Sequence, residues 1–133
     1  MEYLRARLIR ELVRYFGDDN RRIEHALRVL HHADGMVETG EACDRDVVIA
    51  AALLHDIGIR ISEERLGYNN GKTQEEFGPP EAEKLLRTID FPADRIEAVK
   101  EIIGCHHTPT SDPSPELSIL MRADQIVNRD ERI

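Results

Sequence analysis

Residues 50–58, Ala50-Ala51-Ala52-Leu53-Leu54-His55-Asp56-Ile57-Gly58, close an apolar run on an imidazole and a carboxylate. From Val47 to Leu54 no helical face is polar, the pattern of a helix buried among others. Asp44 offers an N-cap and Gly58 a stop. Successive helical residues point about 100° apart, so His55 and Asp56 diverge. Both still reach an ion lying between their two directions. A buried carboxylate is costly unless it is paired or bound to a cation. The doublet by itself also fits a helix-end cap or a buried salt link, so the rest of the chain decides.

The 133 residues are enough for one domain over 1–133 that buries about two-thirds of its unfolded surface. An apolar fraction of 41% and a charged fraction of 33% are ordinary for a globule. The net charge of −8, with no long basic run, excludes bulk nucleic acid and an anionic membrane as partners. It leaves a small phosphate ester open. The longest apolar run falls far short of the ~20 residues of a membrane span. Met1-Glu2-Tyr3-Leu4-Arg5 opens an amphipathic helix, not a signal peptide. Cys43 and Cys105 have no metal-binding spacing, and the expectation is a cytoplasmic protein with reduced thiols.

Helical periodicity accounts for most of the chain. Leu4, Leu8, Leu12, Tyr15 and Phe16 mark a first helix, ended by Gly17. Asp18, Asp19 or Asn20 caps a second over about residues 20–39, with an apolar stripe from Ile23 to Val37 and His25 at its edge. The apolar run above is the third. Glycines and asparagines over 58–78 mark turns, so an irregular loop is expected there, with at most a short helical turn near Ser62–Leu66. Loops of that length often serve as functional lids. Pro79-Pro80 is read as the start of a fourth helix to about Ile89. Pro92 starts a fifth, whose apolar face carries His106, with His107 just beyond it. A proline-rich loop follows, and Pro115 opens a last helix to about Asn128. No strand pattern emerges. The expected fold is all-α, a compact bundle of about six helices.

In the last helix Asp124 falls inside the stripe of Leu117, Leu120, Ala123 and Val127. A carboxylate on an apolar face needs a cationic partner. Two inward carboxylates, Asp56 and Asp124, with His25 and His55 at hand make a mixed nitrogen–oxygen set. That set suits Mn, Fe, Co, Ni or Zn better than Mg, and it leaves positions open for water and substrate.

The order His25, His55-Asp56, Asp124 resembles the HD superfamily of metal-dependent phosphohydrolases. The resemblance is carried by Arg22-Ile23-Glu24-His25-Ala26-Leu27-Arg28-Val29-Leu30, Ala52-Leu53-Leu54-His55-Asp56-Ile57-Gly58 and Ala123-Asp124. It spans about residues 20–130 and implies an HD-domain-like fold. It implies one divalent ion on His25, His55, Asp56 and Asp124, with His55, Asp56 and His106 as the catalytic groups. The implied activity is hydrolysis of a small phosphorylated substrate, a nucleotide foremost, by a water that the ion activates. Some members hold a second ion through extra histidines. One precedes the helix that here begins Gly78-Pro79-Pro80-Glu81; the other resembles His106-His107. Only the latter is present, with Glu75, Glu76 or Glu81 as substitutes for the former, so one ion is expected and a second is left open.

Many members carry a lysine just after the glycine, where this chain has Ile59-Arg60. Arg60, Lys72, His107 and Asn128 are the candidate substrate contacts. Lys72 reads more readily as a solvated loop residue, whereas Asn128 reads equally as a helix cap and His106 equally as a helix-end histidine. Self-association into a homo-oligomer stays open. The rival function is a non-catalytic metal- or nucleotide-binding module in sensing or signalling. A plain helical interaction domain leaves Asp124 unexplained.

Overall fold

A computed structural model describes residues 2–131. Met1 of the expected opening segment and residues 132 and 133 lie outside them. Seven helices follow in order: α1 Leu4–Phe16, α2 Asn20–Glu38, α3 Arg45–Leu54, α4 Gly58–Leu66, α5 Gly71–Thr88, α6 Ala93–Ile103 and α7 Pro115–Glu131. No strand occurs among the described residues. Among the described residues no helix is long and apolar enough to cross a membrane.

The central helix is α3. Every residue from Val47 to Leu54 is buried, and α1, α2, α6 and α7 all pack against it. Asp44 caps it, accepting from the Val47 amide at 3.3 Å. α1 lays Leu4, Leu8, Leu12 and Phe16 into the core. Its Tyr15 hydroxyl donates to the Ile57 carbonyl at 3.0 Å, which pins the turn just after His55-Asp56. Asp19 caps α2 through the Arg22 amide. In α7 the apolar stripe is buried as expected, Leu117, Leu120, Ala123 and Val127 among it.

The segment 58–78, expected to be irregular, is helical. It forms α4 and the first turns of α5, joined by a short turn. Gly67 ends α4 with φ +79°, a left-handed value that glycine adopts without strain. Asn70 and Thr73 then make a reciprocal capping box. The Ser62 hydroxyl, 2.6 Å from the Tyr68 carbonyl and 2.7 Å from Thr73 Oγ1, ties the turn down from inside. Because this cap starts α5 upstream, Pro79 and Pro80 sit inside the helix and do not begin it.

Gly58 and Gly78 do a different job from turn-making. Gly58 lets α4 and α5 cross in backbone contact, and Gly78 leaves room for Ile103 of α6, whose Cγ2 would stand 2.7 Å from a Cβ there. A Cβ on Gly58 would stand 2.5 Å from the Gly78 nitrogen and 2.9 Å from the Gln74 carbonyl oxygen. α6 ends at Ile103 with Gly104 as its cap. His106 and His107 therefore lie in the turn after the helix, not on its face.

Gly58→Ala pushes a methyl into backbone that cannot yield. It should cost about 2–3 kcal/mol, a fall in Tm of about 8–12 °C by thermal denaturation. An unchanged Tm would show that the crossing is looser than described.

Candidate metal centre

His55 follows the last residue of α3 and is fully buried. Its Nδ1 donates to the Ala52 carbonyl at 2.8 Å, which leaves Nε2 as the free lone pair. His25, on α2, is held the same way from outside. Its Nδ1 lies 3.1 Å from both carboxylate oxygens of Glu131. His106 donates from Nδ1 to the Ile103 carbonyl at 2.6 Å. Its Nε2 is buried with no hydrogen-bond partner, 3.8 Å from Asp56 Oδ1.

The lone-pair nitrogens meet the two carboxylates. His25 Nε2 is 3.2 Å from Asp56 Oδ2, 3.1 Å from Asp124 Oδ1 and 3.3 Å from His55 Nε2. His55 Nε2 is 3.3 Å from each of the same two oxygens. Ligand bonds of ~2.0–2.2 Å place neighbouring donors about 2.8–3.6 Å apart, from right-angled to tetrahedral geometry. All five separations fall in that range. His25, His55 and Asp56 form a group that could hold a metal ion, and Asp124 touches both imidazoles of it. Asp56, His106 and His107 form a second such group.

The electrostatics agree. Burial opposes charge on His25, but its hydrogen bonds to Asp124 and Asp56 push the imidazole up to about 10. Burial also opposes charge on His55, yet Asp56 and Asp124 hold it well above the usual range. Desolvation works against both carboxylates. Even so, Asp56 lies well below its ordinary value because of His55, His106 and His25, and Asp124 is lowered by His25 and His55. Every group in the cluster is biased towards having positive charge between the acceptors.

The cluster opens on a cleft of about 370 Å³. His107 and Asn128 line it. Arg60 does not. Because residues 58–66 are helical, Arg60 turns away onto α1, bonding the Tyr15 carbonyl and Glu64, and Ile59 takes the cleft side. Lys72 is exposed in the first turn of α5 and is absent from the cleft wall. Glu75 is spent on the His107 amide and Thr108. Glu76 is exposed and Glu81 lines a separate hollow beside Tyr15.

Gln74, Glu131 and Arg21 line the cleft and were not foreseen there. Gln74 accepts from His107 Nε2 at 2.6 Å and donates to Asn69 Oδ1 at 2.9 Å. No sequence signal marks it while 58–78 reads as a loop. Glu131 stands seven residues after Asp124, two helical turns along the same face, and that spacing was a usable clue. Arg21 lines the cleft one turn before His25 and has no ion pair among the described residues. Its neighbour Arg22 is committed to Glu63 and Asp19.

The family model for the HD domain matches residues 22–129. No curated protein matches the chain. Among solved structures it is similar to a crystal structure described as a predicted HD superfamily hydrolase from an uncultured Thermotogales bacterium. The two are 32% identical with a TM-score of 0.68, over 90% of this chain and 65% of that one. The matched span holds His25, His55, Asp56 and Asp124 together, and the chain belongs to the HD domain family.

Proposed function

We propose that the protein is a metal-dependent phosphohydrolase of a small phosphate ester, with nucleotides as the leading substrate class. The observation that carries this reading is the convergence of four acceptor side chains beside an arginine that has no ion pair among the described residues. His25, His55, Asp56 and Asp124 would hold the ion. Their donor set favours Mn, Fe, Co, Ni or Zn over Mg. Once bound there, a divalent ion supplies Lewis acidity, lowering the pKa of water and polarising a phosphoryl oxygen.

The chain's own residues do the remaining work. Asp56, at the cleft floor, orients the attacking water. His106 Nε2, facing Asp56 Oδ1 without another partner, takes up or returns a proton. Arg21 meets the phosphate from the cleft wall. His107 and Asn128 offer neutral hydrogen bonds to the rest of the substrate. One ion is favoured, because Gln74 already engages Nε2 of His107.

One observation favours the rival reading, a non-catalytic metal- or nucleotide-binding module. No cation follows Gly58 into the cleft, because Arg60 faces α1. Assay with Mn, Co or Ni on a generic phosphate ester, then on a nucleotide panel, separates the two. Bound metal without turnover would select the module.

Elemental analysis of the purified protein should find about one divalent ion per chain. Asp56→Ala and His55→Ala should lose metal and turnover together; retention of both would overturn the ligand assignment. Arg21→Gln should leave metal content and kcat nearly unchanged and raise KM about tenfold, the loss of one charge-assisted hydrogen bond of about 1.5 kcal/mol. An unaltered KM would remove Arg21 from the phosphate.

A further inference from the structure

We infer that Glu131 is a positioning residue, whose carboxylate sets the tautomer of His25 and how tightly that imidazole binds a cation. The inference rests on the reading that His25 is a metal ligand. Both Glu131 oxygens lie 3.1 Å from His25 Nδ1. The imidazole is nearly buried, its side chain 11% exposed, against 28% for Glu131. With an anion on that side, the ring proton stays on Nδ1. The Nε2 lone pair is then directed at His55, Asp56 and Asp124.

The three inward histidines are not held alike. His55 and His106 each donate from Nδ1 to a backbone carbonyl three residues back, Ala52 and Ile103. Those acceptors are neutral, and the main chain fixes them. His25 alone donates to a charged side chain. A carboxylate draws the Nδ1 proton towards itself and leaves more electron density on Nε2, which makes the imidazole a stronger ligand. Glu131 is therefore the one Nδ1 partner in this set whose strength a substitution can tune.

The placement is also specific. Asp124, Asn128 and Glu131 share one face of α7 and all line the cleft. One helix thus delivers a carboxylate towards Nε2 of His25 and another onto its Nδ1. A purely structural pairing of α2 with α7 would change stability and leave ion affinity alone, so affinity is the discriminating readout.

Co²⁺ serves as the probe. Its Kd is measured by competition with a chelator, with the visible absorption bands recorded on the loaded protein. The metal-free variants are checked by circular dichroism for unchanged helicity. Glu131→Gln keeps an acceptor of the same shape and removes the charge; it should weaken Co²⁺ binding about tenfold and shift the bands. Glu131→Ala removes the bond as well and should approach the hundredfold end of the usual range. A Glu131→Gln protein that binds Co²⁺ within twofold of wild type, with identical bands, overturns the role of Glu131, whether or not Glu131→Ala folds. Failure of the wild-type protein itself to bind Co²⁺ would instead sink the metal reading.

Discussion

Acceptors face acceptors at the centre of this fold. With their Nδ1 protons spent on Ala52 and Glu131, the imidazoles in neutral form would present only lone pairs to Asp56 and Asp124 at 3.1–3.3 Å. Such an arrangement repels itself unless a cation, a proton or a metal ion, sits among the four. The unpartnered Nε2 of His106 adds a further acceptor at the rim. The fold holds these groups together because α3, buried on all sides, anchors His55 and Asp56 at its end. The apolar contacts of α2 and α7 then bring in His25 and Asp124. An ion that binds only the folded chain stabilises it by mass action, so site and fold are thermodynamically one problem.

The cleft depends on a second constraint, the contact between α4 and α5. Gly58 lets the two backbones cross, and the Asn70–Thr73 capping box with Ser62 beneath it fixes the turn between them. That turn presents Asn69 and Gln74 to the cleft and swings Arg60 out of it. The cleft wall therefore depends on the bare backbone at Gly58 together with the polar cap of the turn.

How much was legible in the sequence divides along the same line. The burial of α3, the stripe of α7 and the inward direction of Asp124 could be read from periodicity, because each is a property of one helix. The meeting of His25, His55, Asp56 and Asp124 could be read because a carboxylate on an apolar face needs a partner. The helical state of 58–78 was not legible. Gly58, Gly67, Gly71 and Gly78 look alike as letters. Only Gly67 ends a helix with a left-handed backbone, while Gly58 and Gly78 serve close packing. With that segment misread, Lys72 and Arg60 were expected at the cleft and Gln74 was invisible. Glu131 went unnoticed for another reason: its partner is 106 residues away, and helical spacing shows a shared face without showing what the face meets.

A chain carrying −8 looks ill-suited to the phosphorylated ligand proposed above, but the length scales remove the objection. Charges on the exposed surface are screened beyond about 8 Å at physiological ionic strength, so most of the net negative charge is not felt inside the cleft. There the local inventory decides. Glu63 and Asp19 neutralise Arg22, and Glu131 is turned onto His25. Asp56 and Asp124 face the two imidazoles. Arg21, on the wall, has no ion pair among the described residues. Under the proposed function, two carboxylate ligands would balance a divalent ion, and a phosphate approaching the cleft would meet a neutral centre able to polarise it beside the Arg21 guanidinium. The acidic surface opposes the approach of other polyanions, nucleic acid among them, more than that of a single small ester.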